Sequence, residues 1–284
     1  MSTEEHLAKE KPKKSQADLL YEAQVRSRRR FSLQVILSWI ALLALLIFIF
    51  SGIEFSIGSF TVRTIDLDSD FIKENLAFIA GGAGQTILIC VMSIILATFL
   101  ALMAALGRLS KFAPIVALSS FYVSLIRGTP LYLQVFFFFL ALPQLGIILP
   151  GLWAGVIALG LNYGAYMSEI FRAGLSSVGK GQREAAFALG MTSGQMMLRI
   201  VIPQALRFAI PPTGNEFIAM LKDSALVSAT GFVHELMWRA TKVGRAQFNN
   251  LEALIIAAVF YWIMTLIFSS LQSRLEAYMS RGER

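Results

Sequence analysis

Charge is scarce in this sequence. Only 15% of its 284 residues are Asp, Glu, Lys or Arg, whereas average soluble domains carry roughly a quarter. With 56% hydrophobic residues and a mean hydropathy of +0.65, the chain has too little polar surface to coat a water-soluble globule. The composition fits one membrane bundle with short tails. It excludes a cytosolic enzyme, a secreted disulfide scaffold and a disordered tail as the main reading. Cysteine is nearly absent too: Cys90 stands alone, so no internal disulfide and no cysteine metal cluster can form. His6 and His234 are the only histidines, which removes a multi-histidine metal site, and no metal site is expected. No A-x-A cleavage site follows the first apolar run, so no cleavable leader is expected. Tandem repeats are missing as well.

What is present is a series of charge-free windows. A membrane helix needs about 20 apolar residues. Residues 31–53 form the first span, and the window 76–107 predicts a second near 85–107, led by Gly81, Gly82 and Gly84, which suit close helix approach. Residues 112–126 are short for a crossing and read as an interfacial helix ending at Arg127-Gly128-Thr129-Pro130. The charge-free stretch 128–168 exceeds one crossing, and Pro143 with Pro150-Gly151 divides it into spans near 129–146 and 151–174. In the first of these, Phe136 to Phe139 cover every helical face and suit lipid and neighbour packing. A less clean run, 208–234, and a final span, 253–273, bring the total to six and put both termini on one side.

Net charge is +7, but its placement argues against nucleic acid as a partner: the basic residues flank apolar runs and form no aromatic-interleaved patch. The six-span arrangement puts nineteen Lys and Arg on the side of the termini and five on the other. The positive-inside rule then makes both termini cytoplasmic. Arg239, Lys242 and Arg245 are the exception on the outer side, without a role beyond solvation. The tail 1–30 is polar and basic, with Lys11-Pro12-Lys13-Lys14 and Arg28-Arg29-Arg30. It reads as a mobile topology anchor, or as a binder of anionic lipid.

One sizeable polar segment separates two spans on the cytoplasmic side, residues 176–203. Arg183 to Leu189 reads as a short helix, stopped by Gly190 because glycine takes the left-handed position after a helix at little cost. A second short helix follows, and Pro203 suits the first turn of the next one. This compact helical pair presents small Ala185 and Ala186 beside Arg183 and Glu184. It serves either as an ordinary amphipathic connector or as a short helix for a partner's groove.

Ionisable and polar groups inside spans mark a pathway or a buried pair. Lys222 and Asp223 are adjacent, so they face different sides of a straight helix; with Ser224 they suggest a broken helix in mid-membrane. They either lock the bundle or form a gate or cargo-contacting turn. Asn215 and Glu216 could hold an amino group or pack against Lys222, while Asn162 and Tyr163 could contact cargo or bond between helices. Glu169 and Arg172 lie three apart and read as an ion pair at the cytoplasmic end of their span. Arg127 reads as snorkelling to the interface. An intramembrane protease needs paired aspartates, a Ser–His pair or H-E-x-x-H, and none of these is present.

Glu184-Ala185-Ala186, Gly190, Ile200 and Ile202-Pro203 stand at the spacing of the EAA loop, and this stretch resembles the permease subunits of ATP-binding-cassette importers. Ile202 replaces the more usual leucine, a volume-conserving change. The segments 127–130, 161–172, 181–182, 203–207, 211–215 and 221–226 are similar to the polar-amino-acid group of that family. The resemblance covers roughly residues 80–275. It implies an all-α integral membrane protein with a five-helix type I importer core, to which 31–53 adds an N-terminal helix, and short tails at 1–30 and 276–284. It also implies a permease of the bacterial cytoplasmic (inner) membrane working by alternating access. A second permease subunit, a cytoplasmic ATPase dimer gripping the loop 176–203 and an extracytoplasmic amino-acid-binding protein would be its partners. The sequence contains no G-x-x-x-x-G-K-[ST], so ATP and magnesium belong to the ATPase partner and no cofactor is expected on this chain. A permease for another small nutrient and an autonomous channel or secondary transporter are the alternatives.

Overall fold

The computed structural model describes residues 16–57 and 60–279, with side chains left out at 16–23, 55, 57, 60 and 62. The basic run 11–14, His6 and the last five residues therefore lie outside the described residues. The chain divides into two compact units, Met1–Leu67 and Asp68–Arg284.

The first unit holds one long helix, α1 (Gln16–Ile49), whose apolar residues from Phe31 to Phe48 are exposed on every face. A helix apolar all round, with no packed side, is what a lipid-surrounded span requires. It begins well before residue 31, so the tail expected to be mobile to residue 30 is helical from Gln16. A short hairpin follows, β1 (Glu54–Ile57) against β2 (Phe60–Arg63), antiparallel with Glu54 opposite Arg63. That pair is joined at 2.9 Å. Among the described residues this hairpin is the one departure from an all-helical chain.

In the second unit, α2 (Ser69–Ala80) starts at Asp68, whose Oδ1 accepts from the backbone N–H of Asp70 and Phe71. Those two bonds hold the exposed Asp68 carboxyl below its ordinary pKa. α3 (Ala83–Arg108) continues from α2 across Gly81-Gly82. A Cβ on Gly82 would sit 2.6 Å from the Leu236 Cα, so a backbone passes directly over it. Gly84 has nothing within 4 Å, and the close approach expected of all three glycines does not extend to it.

The centre of the bundle is α3 packed on α6 (Gly151–Ser177). Ser93, Ala97, Ala101 and Ala105 recur every fourth residue of α3 and are all buried. Gly160 and Gly164 of α6 lie against Leu96 and Leu100. Small residues at such spacing let membrane helices come close, which is where packing energy arises when lipid is as apolar as the side chains.

Among the described residues, three helical stretches are long and apolar enough to cross by themselves: Gln24–Ile49, Ser69–Arg108 and Asn250–Met279, the last being α11. The six expected spans are thus not all plain helices. α4 (Ala113–Arg127) meets the helical run Leu131–Leu145, which opens with α5 (Leu131–Phe136), at a bend of 105°, and together they make at most one broken span or a re-entrant loop. The expected helix 129–146 is irregular, because α5 passes into a π-turn at Phe137–Ala141 and a 3-10 turn at Leu142–Leu145. Pro143 has no N–H for an α ladder, and the helix cannot continue regularly through it. The run 208–234 is likewise divided: α9 (Ile202–Asp223) ends at Asp223 and a 3-10 strap occupies Ser224–Thr230. α6 has 27 residues but is buried along most of its length; its helical rise of about 40 Å is ample for a crossing. A helix enclosed by its neighbours meets little lipid and tolerates Asn, Tyr and Ser.

Arg239, expected to be merely solvated, is more than a solvated charge. α10 (Leu236–Gln247) carries Arg239, which donates to the Phe78 and His234 carbonyls at 2.9 and 3.0 Å. Glu235 caps α10 through the N–H of Met237 and Trp238 and accepts from the Tyr261 hydroxyl at 2.8 Å. It is fully buried, and burial pushes its carboxyl above the ordinary glutamate value.

Candidate functional site

Two regions hold most of the residues singled out from sequence, a cavity within the bundle and the polar loop at one end of it. The cavity, about 610 Å³, is lined by the 127–131 corner, by Asn162, Tyr163 and Tyr166 of α6, and by Glu216 and Asp223 of α9. Its shape depends on the 105° corner. Gln134, buried at the start of α5, donates to the Ile126 carbonyl (2.8 Å) and the Thr129 hydroxyl (2.9 Å), and accepts from Asn162 Nδ2 (3.2 Å). One amide therefore satisfies the open backbone of the corner and ties it to α6. Tyr163 donates to Asp223 Oδ2 at 2.8 Å, joining α6 to the last residue of α9.

The structure brings Asn162, Tyr163, Glu216 and Asp223 together and leaves the others apart. Asn215 and Lys222 are exposed and do not line the cavity. Ser224 is buried with its hydroxyl on the Leu221 carbonyl at 2.8 Å, where it stops α9. Lys222 and Asp223 face different ways, as adjacency requires. Glu216 accordingly does not pack on Lys222.

Glu169 is more than the partner of Arg172 (2.9 Å). Arg108 from the end of α3 also pairs with it, and Arg127 approaches to 3.7 Å while lying over the Tyr166 ring at 5.0 Å. The ends of α3 and α4 meet α6 at one carboxylate. Sequence spacing could reveal only the Arg172 pair, since Arg108 and Arg127 come from other helices. Gln134, an amide in an apolar run, was legible as a polar interruption and was missed.

At the polar loop, α7 (Lys180–Ala188) begins three residues earlier than expected and ends where Gly190 takes a left-handed φ of 76°. The Met191 N–H reaches the Ala186 carbonyl at 3.1 Å, closing the helix end. α8 (Ser193–Met196) opens with a capping box between Thr192 and Gln195. It is not a separate second helix: a π-turn at Met197–Val201 runs it straight into α9, with Pro203 in the first turn. The pair Ala185 and Ala186 is split, because Ala185 is exposed while Ala186 is buried in the core. Arg183 is half-buried and donates to the Leu175 carbonyl of α6 at 2.5 Å, and Gln204 of α9 donates to Gln182 at 2.6 Å. Outward stand Glu184, Ala185, Phe187 (51% exposed) and Leu189 (82%). Two large apolar side chains beside a carboxylate, on a helix bolted to α6 and α9, are suited to a partner's groove.

Among the described residues no group of three His, Cys, Asp or Glu could hold a metal ion.

Known proteins place this architecture. The family model described as "Binding-protein-dependent transport system inner membrane component" matches residues 97–281. The arginine transport system permease protein ArtQ of Bacillus subtilis (strain 168) is 40% identical over 220 residues, covering 77% of this chain and all of that protein. The L-cystine transport system permease protein TcyB of the same organism is 41% identical over 75% of this chain and 91% of its own length. Among solved structures, the crystal structure of an amino acid ABC transporter with histidines is similar at a TM-score of 0.70 and 37% identity, over 75% of this chain and 100% of that one. With bent helices around a polar cavity, a helical loop of the EAA pattern at one end and two thirds of its length matched by one model, the chain belongs to the family of binding-protein-dependent transport system inner membrane components.

Proposed function

We propose that this chain is the permease subunit of an ATP-driven importer for polar amino acids in the bacterial cytoplasmic membrane. In that reading both termini are cytoplasmic. A second permease subunit completes the pathway, a binding protein delivers cargo from outside, and an ATPase dimer grips α7. ATP hydrolysis belongs to the ATPase. Six spans, with 31–53 added to a core over 80–275, remain the topology we propose.

The observation that carries the mechanism is the way α7 is fastened. Arg183 holds α6 through Leu175, Gln182 is held by Gln204 of α9, and Ala186 is buried between them. α6 and α9 are also the helices that carry Asn162, Tyr163, Glu216 and Asp223. A pull on α7 is thereby delivered to both polar walls of the cavity, which is what alternating access driven from the cytoplasmic side needs. Glu184, Ala185 and Gly190 serve the ATPase contact, whereas Arg183, Ala186 and Pro203 serve the fastening.

Cargo chemistry follows from the lining charges. One guanidinium, Arg127, stands against two carboxylates, Glu216 and Asp223. An amino acid uses one cation for its carboxylate and one acid for its ammonium; the second acid favours a cationic side chain. That agrees with the arginine relative and the histidine-bearing structural neighbour. The test is uptake by the reconstituted importer. L-Arginine and L-histidine should compete at least about tenfold better than L-glutamate, a difference worth about 1.4 kcal/mol. Preference for L-glutamate or L-cystine would overturn the cationic assignment. Leu189→Glu, at an exposed position, should leave the protein in the membrane and lower both uptake and permease-stimulated ATPase about tenfold or more. Wild-type coupling in that variant would remove α7 as the ATPase contact.

A further inference from the structure

A second cavity, about 670 Å³, lies back to back with the first. Leu131 lines the inner cavity and Tyr132 the second; Asp223 lines the inner and Ala225 the second. The start of α5 and the junction of α9 with the 3-10 strap therefore form the partition between them.

The second cavity has the opposite charge character. Its ionisable side chains are the phenol of Tyr132 and two cations, Lys242 and Arg245, with no acid in the lining. The two cations are three residues apart on α10 and so share a face. Neither has an ion-pair partner among the described residues, and the Tyr132 side chain is half exposed. Lys242 Nζ sits 4.8 Å from the centre of the Trp238 ring, which is itself held by its Nε1–H on the Gly231 carbonyl at 3.0 Å and by stacking on His234 at 3.9 Å. The indole fixes one ammonium in place at the cavity wall, and the end of the strap fixes the indole. Unneutralised cations on a side of the bundle that otherwise carries few are unusual. Here they converge on one concave surface, which is where an anion gains most from them.

We propose that this outer cavity is a carboxylate-recognition site, in which Lys242 and Arg245 take the α-carboxylate of an amino acid before it passes the strap to the acidic inner cavity. The identity of the ligand rests on the import reading above; the site itself rests on the basic lining. Two charge-assisted donors on one carboxylate give orientation as well as affinity, so cargo held in this cavity by its carboxylate would turn its amino group toward Glu216 and Asp223.

The test is a titration of the full-length protein in nanodiscs, followed by Trp238 fluorescence, with L-arginine, its uncharged-terminus analogue L-argininamide, and sodium acetate. Trp238→Phe identifies the signal. L-Arginine and acetate should give a saturable change, argininamide should not, and Lys242→Gln with Arg245→Gln should weaken the response about tenfold or more. An equal response to the amide, a response that survives the double substitution, or no response would overturn the site. A response as expected, in an importer that takes up no amino acid, would uphold the carboxylate site and sink the import reading alone.

Discussion

Asp68 shows how much one exposed side chain can order. Its two oxygens cap α2 and accept from Asn249 Nδ2, while its own N–H donates to Glu252. Because the folded carboxyl titrates below the ordinary aspartate value of 3.8, the folded state binds fewer protons than the unfolded one. Its contribution is present above that value and is lost as pH falls through the folded pKa. In detergent, Asp68→Ala should lower the melting temperature at pH 6, and the gap from wild type should shrink steadily below pH 3.8. A pH-independent gap would mean that the carboxylate charge is not what matters. Glu235 has the opposite sign: its raised carboxyl makes burial of the charged form a cost that grows as pH rises above 4.5. At this scale the sequence was partly readable. Asn162, Tyr163, Glu216 and Asp223 were visible as polar breaks in apolar runs and do meet in one cavity. Lys222 was as visible and is exposed elsewhere, because adjacency on a helix says that two residues diverge and not which of them turns inward.

Among elements, the glycines and prolines decide most. Gly82 lies under the backbone of Leu236, with a Cβ position 2.6 Å from the Leu236 Cα and 2.9 Å from the Glu235 carbonyl carbon. Backbone cannot swing aside as a side chain can, so Gly82→Ala should destabilise by about 1–3 kcal/mol. Gly84→Ala, with open space around it, should be neutral or slightly stabilising as a helix residue. Reversible unfolding of both variants measures the difference, and equal losses would sink the contact argument. The helix stop at Gly190 and the place of Pro203 were legible because both follow from local backbone chemistry. The fusion of α8 with α9 was not, since a π-turn keeps the chain helical where composition suggests a new start. Nor was the 105° corner, which depends on Gln134 reaching back from α5 to a carbonyl of α4.

For the whole molecule, the orientation proposed from charge is open to direct measurement. In a Cys90→Ser background, single cysteines at Lys180 and Arg245 occupy exposed positions on α7 and α10. In intact cells a membrane-impermeant maleimide should label Arg245→Cys and spare Lys180→Cys; the reverse pattern would invert the topology.

Composition by itself determined that this chain lives in a membrane, and the spacing of Glu184, Ala185, Ala186 and Gly190 determined its family, because both are properties of residues close together along the chain. Only the tertiary structure decided that Ala186 faces inward, that three arginines share Glu169, and that a cavity holding two acids and a basic one adjoin at the junction of α9 with the strap. Those outcomes depend on which faces of distant helices meet, and a charge-free window has the same sequence whichever way it is turned.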